Sequence, residues 1–375
     1  MTKSVTFAHG GFARVGGIET FTADLALALS ERRLQTELIC WSGTGDRENP
    51  ALARLARSGV RISRTNWRWG CRLGWPDKLM VRHQWKRFVA SDLLVFGKLL
   101  HPDAHRRLLP LRKRMILITP YRPSEMWREQ RPSDDLLNSL ESVIVQAQAF
   151  EADLREFGYR GRVFILPLPP PEPGRVPPWP VTSTLQVGFL GRLVPDKNLD
   201  YLIASFACLR ELGVTAELNI FGHGPELDAL QSVANRRGLA GQVHFRGNQN
   251  HAEINRAIDS CHLFAFTSRT EGLPIGLLEI LSRGRPVLGT PVGAFPEVLF
   301  KPLGSVAPLD NPKAFATAMK ALAEALLRGE ITPQLVQEAY GRRFPRAQVI
   351  DEYMRIFSDS ASPAGACEEQ VACAL

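Results

Sequence analysis

Two carboxylates eight residues apart could act together in the segment between residues 266 and 296. Glu271 and Glu279 are separated by a turn-prone run that starts at Gly272. Two neighbouring glutamates can share general acid and general base roles, or they can orient a substrate by accepting its hydrogen bonds. Taken alone, Glu271 also fits a helix cap and Glu279 a solvated surface charge.

The flanking residues predict where these carboxylates lie. The apolar run Leu263–Phe266 predicts a buried strand, and the dense apolar residues of Ile275–Arg283 predict a helix packed on a sheet. Pro274 fits the first helical turn, because the N–H that proline lacks would have no intrahelical partner there. Glu271 therefore falls in the loop at the carboxyl end of the strand, and Glu279 falls inside the helix. Free amides at the helix start suit an anion.

Two cations occupy an equivalent loop earlier in the chain. The segment 191–198, GRLVPDKN, follows an apolar strand and precedes a helix, so Arg192 and Lys197 should lie at the carboxyl edge of the same sheet. An arginine fork and a lysine ammonium suit a diphosphate, although each residue alone also fits a solvated loop. The sequence has no Asp-x-Asp pair for a divalent ion, so we expect phosphate to be bound without a metal.

Strands and helices alternate along the chain on both sides of a proline-rich segment, PLPPPEPGRVPPWP, at 167–180. This alternation predicts parallel, doubly wound sheets, and the prolines exclude a helix or central strand between them. We predict an α/β protein with two Rossmann-like domains that face each other across a cleft. The predicted parts are a first domain at 1–170, a linker at 171–183, a second domain at 184–343, a helix at 344–358 that crosses back to the first domain, and a disordered tail at 359–375.

Composition excludes several classes of protein. A membrane-spanning helix needs about 18 apolar residues, and none of the apolar runs approaches that length. The N-terminus has too short an apolar core for a secretory signal. The six cysteines are scattered without a C-x-x-C pair, which favours free thiols in a reducing cytoplasm over a zinc site. We therefore expect a cytoplasmic chain.

Positive charge is concentrated in the first half of the chain. The net charge is +8, but the first 170 residues contain 27 basic and 17 acidic residues, a balance of +10, and the remainder has 19 and 21, a balance of −2. Between Arg57 and Arg131, 18 basic residues meet five acidic ones among several tryptophans. This stretch suits anionic lipids at the inner face of the cell membrane or an acidic substrate, and it equally fits a solvated face over a core. No nucleic-acid motif accompanies it, so we expect no nucleic-acid partner.

Several motifs together resemble one enzyme family. GRLVPDKN, IFGHGPE, VHFRGN and EGLPIGLLEILSRGRPVLGTPVGAFPEVL are similar, in order and spacing, to the motifs of retaining GT-B glycosyltransferases of family four, and VGGIETF resembles their N-terminal glycine loop. The resemblance is strong over residues 184–300 and holds in outline over the first 170. It implies retaining, metal-independent transfer of a hexose-like sugar from a nucleoside diphosphate sugar bound by the second domain. We expect the acceptor, a glycan or a lipid-linked polysaccharide precursor, to bind the first domain, because the basic, aromatic stretch of that domain suggests an acceptor on a lipid carrier.

The resemblance also assigns roles to individual residues. Arg192 and Lys197 match the basic pair at the donor diphosphate. Glu271 matches the glutamate beside the donor sugar, and Glu279 matches the glutamate that binds the nucleotide ribose. The remaining matches lie in loops around the donor: Gly17 and Gly191 near the diphosphate, Gly247 near the base, and the amides around Gly272, Leu273 and Ile275 near the sugar and phosphate.

The first domain departs from the family pattern. Family members often present a histidine from a strand end where this chain reads TPYRPSEMW, and His9 and His101 are the candidate replacements. The Asn-Gly segment that often precedes the linker is replaced here by LPLPPPEP. Two alternatives stay open: a catalytically inactive, GT-B-like, membrane-associated binding protein, and a nicotinamide-dependent dehydrogenase. The dehydrogenase would need a clear G-x-G-x-x-G after the first strand, which this sequence lacks.

Overall fold

The structure, a computed structural model, describes residues 2–9, 17–41, 50–65, 86–97, 108–128 and 131–359. The described residues form two compact units. The first unit contains the residues up to Pro169 and those from Ala347 onward, and the second contains Pro170–Arg346. His101, the side chain of His9, part of the basic stretch and nearly all of the predicted tail lie outside the described residues.

The first unit is built on a parallel sheet with the strand order β3-β2-β1-β4-β5-β6-β7. Its central strands are apolar on both faces, as parallel strands covered by helices must be. The strands are β1 Ser4–His9, β2 Gln35–Trp41, β3 Arg61–Thr65, β4 Leu93–Phe96, β5 Arg114–Ile118, β6 Ser142–Val145 and β7 Arg162–Ile165. The helices described in this unit include α1 Gly17–Glu31, α2 Pro50–Arg57, α3 Pro123–Met126, α4 Asp134–Asn138 and α5 Gln148–Glu156.

The second unit has a parallel sheet with the strand order β10-β9-β8-β11-β12-β13. Strand order reverses between β8 and β11, which therefore form the topological switch point. The strands are β8 Leu185–Leu190, β9 Ala216–Phe221, β10 Val243–Gly247, β11 Leu263–Phe266, β12 Val287–Gly289 and β13 Gly304–Val306. The helices are α6 Leu199–Glu211, α7 Leu227–Arg236, α8 His251–Asp259, α9 Ile275–Ser282, α10 Phe295–Val298, α11 Pro312–Leu327 and α12 Pro333–Arg343.

The last described helix, α13 Arg346–Ser358, packs on the first unit from Ala347 onward. Its Phe357 ring lies 6.3 Å from the Phe7 ring of β1, and its Asp351 forms an ion pair with Arg32 at 2.8 Å. The Tyr353 hydroxyl donates to the Pro167 carbonyl at 3.2 Å. The helix is thus held by both apolar and polar contacts.

Residues 167–180 form neither helix nor strand, as their proline content predicts. Proline has no N–H to donate, but its carbonyl oxygen still accepts hydrogen bonds. Arg346 donates to Pro170 O at 2.7 Å and the Tyr340 hydroxyl donates to Pro171 O at 2.7 Å. Arg285 donates to two further proline carbonyls, Pro177 O at 3.1 Å and Pro178 O at 2.7 Å. Side chains of the second unit therefore hold this segment at several points.

The predicted fold class is confirmed, since both sheets are parallel and each has the doubly wound order. The predicted strand Leu263–Phe266 is observed with the same bounds, and the predicted helix Ile275–Arg283 ends one residue earlier, at Ser282. The predictions missed the three-residue strand β13 and the short helices α3, α4 and α10, which are too brief to show a period. None of the helices in the described ranges is both long and apolar enough to cross a membrane.

A buried carboxylate on α5 braces the turn after β5. Arg122 donates to both oxygens of Asp153, at 2.9 and 3.0 Å, and Ser124 donates through its backbone amide at 3.1 Å and through its hydroxyl. Burial raises the pKa of Asp153, but the hydrogen bonds from Arg122 and Ser124 outweigh burial and hold that pKa below its ordinary value of 3.8. The ionised form of Asp153 therefore stabilises the folded domain.

We expect Asp153→Asn to remove a pH-dependent part of this stability. A carboxyl whose folded pKa is lowered contributes stability above its unfolded pKa and loses it as pH falls through the folded value. At pH 7 the substitution should cost about 1–3 kcal/mol, since it weakens hydrogen bonds to a charged group. The urea midpoints of the variant and the wild type should differ at pH 7 and should approach each other at about pH 2.5. Asp134→Asn, which alters an exposed carboxylate of the same unit, is the control. An equal difference at both pH values would contradict the role of Asp153.

Candidate active site

Two loops leave neighbouring strands at the switch point of the second sheet. Strands β8 and β11 run parallel with Leu263 opposite Val187 and Phe264 opposite Gly188. The loop 191–198 follows β8 and the loop 267–274 follows β11, so both leave at the carboxyl edge of the sheet. In open parallel sheets this crevice is the usual place for a ligand.

The first loop is shaped by close backbone contacts. Gly222 has a φ of +143°, and a Cβ atom there would lie 1.8 Å from the Gly191 carbonyl oxygen, so only glycine fits. The Leu193 amide donates to His223 O at 3.1 Å. The loop ends in a short 3₁₀ turn, Pro195–Lys197, and in the buried Asn198, whose φ of 52° is left-handed. This geometry fixes the point from which Lys197 projects.

The second loop is bonded directly to the first. The Arg269 amide donates to Asp196 O at 2.8 Å, and its guanidinium donates to Asn198 Oδ1 at 2.8 Å. The Thr267 hydroxyl lies 3.1 Å from the carbonyl oxygens of Lys197 and Asn198 and donates to them. The two loops therefore hold each other in one geometry.

An ion pair joins the two loops at the centre of the site. Lys197 Nζ donates to Glu271 Oε1 at 2.5 Å, and Ser268 Oγ donates to the same oxygen at 2.6 Å. The Glu271 side chain is only 7% exposed and that of Lys197 is 22% exposed. A carboxylate buried this deeply is tolerable only when it is paired and hydrogen-bonded. Here both conditions are met by groups at the same strand edge.

The backbone of Glu271 rests against a glycine turn that follows β12. Gly293 has a φ of +56°, and a Cβ atom there would lie 2.2 Å from Glu271 O and 2.7 Å from Gly272 O. The Ala294 amide donates to Gly272 O at 3.1 Å. The absence of a side chain at Gly293 thus allows the turn to support the loop that carries Glu271.

Most of the second unit matches one protein family. Residues 184–325 match the family described as glycosyl transferases group 1. We name residues 184–325 the group 1 domain after this match. The matched range contains the switch point, both loops and the Lys197–Glu271 pair. The match confirms the resemblance to group 1 glycosyltransferases that the sequence motifs showed.

Curated relatives match the chain over short segments. The chain is 34% identical over 117 residues to the GDP-mannose-dependent alpha-(1-6)-phosphatidylinositol monomannoside mannosyltransferase of Mycobacterium tuberculosis, and this segment covers 29% of the chain and 30% of the relative. It is 28% identical over 120 residues to a phosphatidylinositol N-acetylglucosaminyltransferase component from Arabidopsis thaliana, covering 32% of the chain and 27% of the relative. The matches therefore span less than a third of each relative's length.

Solved structures match nearly the whole chain in fold. Anabaena Alr3699/HepE in complex with UDP superposes with a TM-score of 0.76 at 16% identity, covering 95% of this chain and 99% of the other. Sucrose-phosphate synthase from Thermosynechococcus elongatus superposes with a TM-score of 0.75 at 14% identity, covering 95% and 98%. With the two parallel sheets, these likenesses show the GT-B fold with two Rossmann-like domains.

The charged residues predicted from the sequence have different surroundings in the group 1 domain. Lys197 and Glu271 are in direct contact, whereas Arg192 is exposed and has no ion pair with any residue in the described ranges. Glu279 is half-buried on α9. Burial raises the pKa of Tyr340, and the charge of Glu279 adds to this rise. The two glutamates therefore lie in different surroundings.

The remaining predicted positions frame the same edge of the domain, except for one. The Gly191 amide donates to Phe221 O at 3.0 Å, and the Gly222 amide donates to Gly247 O at 2.8 Å. Gly272 and Leu273 are buried in the second loop, and Ile275 is the first residue of α9, after the cap Pro274. Gly17 belongs to the other unit, where it is the first residue of α1. Roles for all of these positions stay predictions.

Sequence reasoning missed the buried hydroxyls and glycines that hold the site together. Thr267 and Ser268 are the first two residues after the apolar strand β11, and Thr290 is the first after β12, which is a usable signal that the sequence analysis did not use. Gly222 and Gly293 were missed because their role depends on a backbone contact from another loop. In the described part of the chain, no three His, Cys, Asp or Glu side chains come together in a geometry that could hold a metal ion.

Proposed function

We propose that this protein is a glycosyltransferase that moves a sugar from a nucleoside diphosphate sugar to an acceptor hydroxyl. The observation that carries the proposal is the Lys197–Glu271 ion pair at the switch point of the group 1 domain. A buried carboxylate and a partly exposed ammonium at this edge match the two charges that develop when a glycosyl–phosphate bond breaks.

The departing diphosphate gains negative charge, which Lys197 would stabilise. Arg192, exposed on the same loop, and the amides near Gly272 and Ile275 supply further positive ends for the phosphates. The sugar gains positive charge at its anomeric carbon, and the carboxylate of Glu271 would stabilise it. Glu279, on the next helix, would accept hydrogen bonds from the nucleotide ribose.

Donor binding then amounts to an exchange of partners. Without a donor, Lys197 and Glu271 neutralise each other at 2.5 Å. The donor offers a phosphate anion to Lys197 and a sugar with developing positive charge to Glu271. Lys197 therefore keeps an anion beside it while the internal pair separates, and Glu271 keeps its hydrogen bond from Ser268 until positive charge develops on the sugar.

We infer transfer with retention of the anomeric configuration. The acceptor hydroxyl attacks the anomeric carbon on the face from which the diphosphate leaves, the bond to the phosphate oxygen breaks, and that oxygen takes the acceptor's proton. Glu271 remains a stabilising carboxylate and forms no covalent bond. With two cations and the loop amides at the phosphates, the step requires no metal.

The names of similar proteins guide the choice of substrates. The HepE structures contain UDP and UDP-glucose, and the mycobacterial relative is named for GDP-mannose, so UDP and GDP sugars are the first donors to test. Two relatives have phosphatidylinositol in their names. A lipid-linked acceptor at the inner face of the cell membrane would suit the basic stretch Arg57–Arg131. Binding to anionic vesicles but not to neutral ones tests this surface.

A panel of nucleotide sugars tests the proposed function. We expect one sugar nucleotide to raise the melting temperature, because a ligand that binds only the folded state stabilises it. The same compound should then be hydrolysed or transferred by the purified protein, with retained anomeric configuration by NMR and with activity that survives EDTA. Calorimetry should show weaker nucleotide binding for Glu279→Ala, with Glu338→Ala, which alters an exposed glutamate of the second unit, as the control.

Two other results would contradict the proposal. Nucleotide-sugar binding without any transfer or hydrolysis, over a range of glycan and lipid-linked acceptors, would favour the inactive binding protein. Clear binding of a nicotinamide dinucleotide without any nucleoside diphosphate binding would favour the dehydrogenase.

A further inference from the structure

Three hydroxyl side chains are completely buried at the carboxyl ends of β11 and β12. Thr267, Ser268 and Thr290 are each 0% exposed. Burying a hydroxyl is unfavourable unless it forms a hydrogen bond, and an apolar side chain of similar size could fill the same space. Their hydrogen bonds therefore indicate what these side chains do.

Each hydroxyl bonds to a part of the charged site. Thr267 holds the backbone of Lys197, by donating to its carbonyl oxygen at 3.1 Å, whereas the next residue, Ser268, holds the carboxylate of Glu271 at 2.6 Å. Thr290 Oγ1 in turn donates to Ser268 O at 2.6 Å. Because Thr267 and Ser268 are consecutive, one strand end fixes both members of the ion pair, and Thr290 fixes that strand end.

The bond from Ser268 matters most when the ion pair separates. Glu271 Oε1 accepts from both Lys197 and Ser268, so a donor that attracts Lys197 leaves Ser268 as the bond that still orients this oxygen. A carboxylate that had lost both bonds could rotate away from the reacting sugar carbon. Small displacements of this kind can lower the rate of a reaction about 100-fold.

We propose that Ser268 is a positioning residue that keeps the Glu271 carboxylate aimed at the donor sugar after Lys197 has moved to the diphosphate, and that Thr290 supports it. The proposal rests on the proposed function, because it assigns the pair to a sugar and a diphosphate. The proposal separates the positioning of the sugar from the binding of the nucleotide. Ser268 serves the sugar side through Glu271, and it does not serve the binding of the nucleotide.

The test is Ser268→Ala with separate readouts for turnover and for nucleotide binding. We expect kcat with the donor found in the panel to fall by about 10- to 100-fold. The Kd of the matching nucleoside diphosphate, which lacks the sugar, should change by less than about twofold. A kcat within about twofold of the wild type would overturn the proposal. So would a parallel loss of nucleotide affinity and kcat, which would indicate general damage to the domain.

Matched variants separate hydrogen bonding from packing. Ser205→Ala removes another completely buried serine hydroxyl, bonded within α6 to Tyr201 O, and should leave kcat unchanged. Thr290→Val keeps the shape of threonine but loses the hydroxyl, and it should lower kcat. Thr290→Ser keeps the hydroxyl and should retain most of the activity. A larger loss in Thr290→Ser than in Thr290→Val would show that packing is what matters, and would remove Thr290 from the proposal.

A stability measurement tests the same contact without any turnover. Ser268→Ala and Glu271→Ala should each lower the denaturation midpoint, and the double variant should lose less than the two single losses together. Additive losses would overturn the contact between Ser268 and Glu271. If none of the nucleotide sugars is turned over but the coupling is present, the proposed function fails while the positioning of Glu271 by Ser268 stands.

Discussion

Lys197→Met is expected to lower turnover by about 10²- to 10³-fold, the cost of removing one preorganised group that stabilises a developing oxyanion. The variant keeps most of the length of the side chain but removes the charge that would meet the departing diphosphate. Glu271 Oε1, on a buried carboxylate, accepts from Lys197 and Ser268, and the variant leaves it the bond from Ser268. We therefore expect the second domain to lose about 1–3 kcal/mol of stability as well. Steady-state kinetics with the donor found in the panel and urea unfolding measure the two effects.

A double variant separates the loss of charge from the loss of stability. In Lys197→Met/Glu271→Gln both members of the pair are neutral, so the cost of an unpaired buried carboxylate disappears. Its stability should return toward that of the wild type, whereas its turnover should stay as low as that of the single variant or fall further. Lys313→Ala, which removes an exposed lysine of the same domain, should change neither quantity. Normal turnover in Lys197→Met, or recovered turnover in the double variant, would contradict a role for Lys197 at the diphosphate.

Arg285→Met is expected to destabilise the second domain by about 3 kcal/mol or more, because it leaves buried acceptors without their charged donor. The guanidinium is completely buried and donates to five carbonyl oxygens, and it lies 5.0 Å from the ring of Trp179. Burial lowers the pKa of Arg285 to about 10, so the side chain stays charged at neutral pH. The five acceptors belong to Pro177, Pro178, Asp259, Cys261 and Arg283.

The position of these acceptors gives Arg285→Met a second measurable effect. Two of them lie in the proline-rich segment, so that segment should become more accessible to a protease in the variant. Arg285→Lys keeps the charge but not the planar fork, and its loss of stability should be intermediate. Arg256→Met, at an exposed arginine of the same domain, should change stability by less than about 0.5 kcal/mol. An unfolding midpoint of Arg285→Met equal to that of the wild type would contradict this account of the segment.

The sequence was sufficient for the parts of the fold that depend on local pattern. The apolar run Leu263–Phe266 predicts a buried strand of a parallel sheet, and the dense apolar residues after Pro274 predict a helix packed on that sheet. Both elements are found where predicted. The placement of Lys197 and Glu271 at one edge also follows from the pattern, because loops after parallel strands of one sheet leave on the same side. What the pattern could not supply was strand order, which makes β8 and β11 neighbours.

The contacts that finish the site depend on residues distant in the sequence. The ion pair joins residues 74 positions apart, and the bond from Arg285 to Pro178 joins residues 107 positions apart. The positive φ at Gly293 has meaning only beside the carbonyl oxygens of Glu271 and Gly272. Local periodicity says nothing about such approaches, so the sequence indicated two cations and two glutamates without showing that one of each would be paired.

The arrangement of these charges leads to one central claim, that the site of the Lys197–Glu271 pair binds the diphosphate and the sugar of the donor. A crystal structure with a nucleoside diphosphate bound tests it most directly. The account predicts a phosphate oxygen within hydrogen-bonding distance of Lys197 Nζ, the Glu271 carboxylate still held by Ser268, and the ribose beside Glu279. A bound nucleotide whose phosphates lie away from Lys197, with the Lys197–Glu271 pair still closed at 2.5 Å, would contradict it.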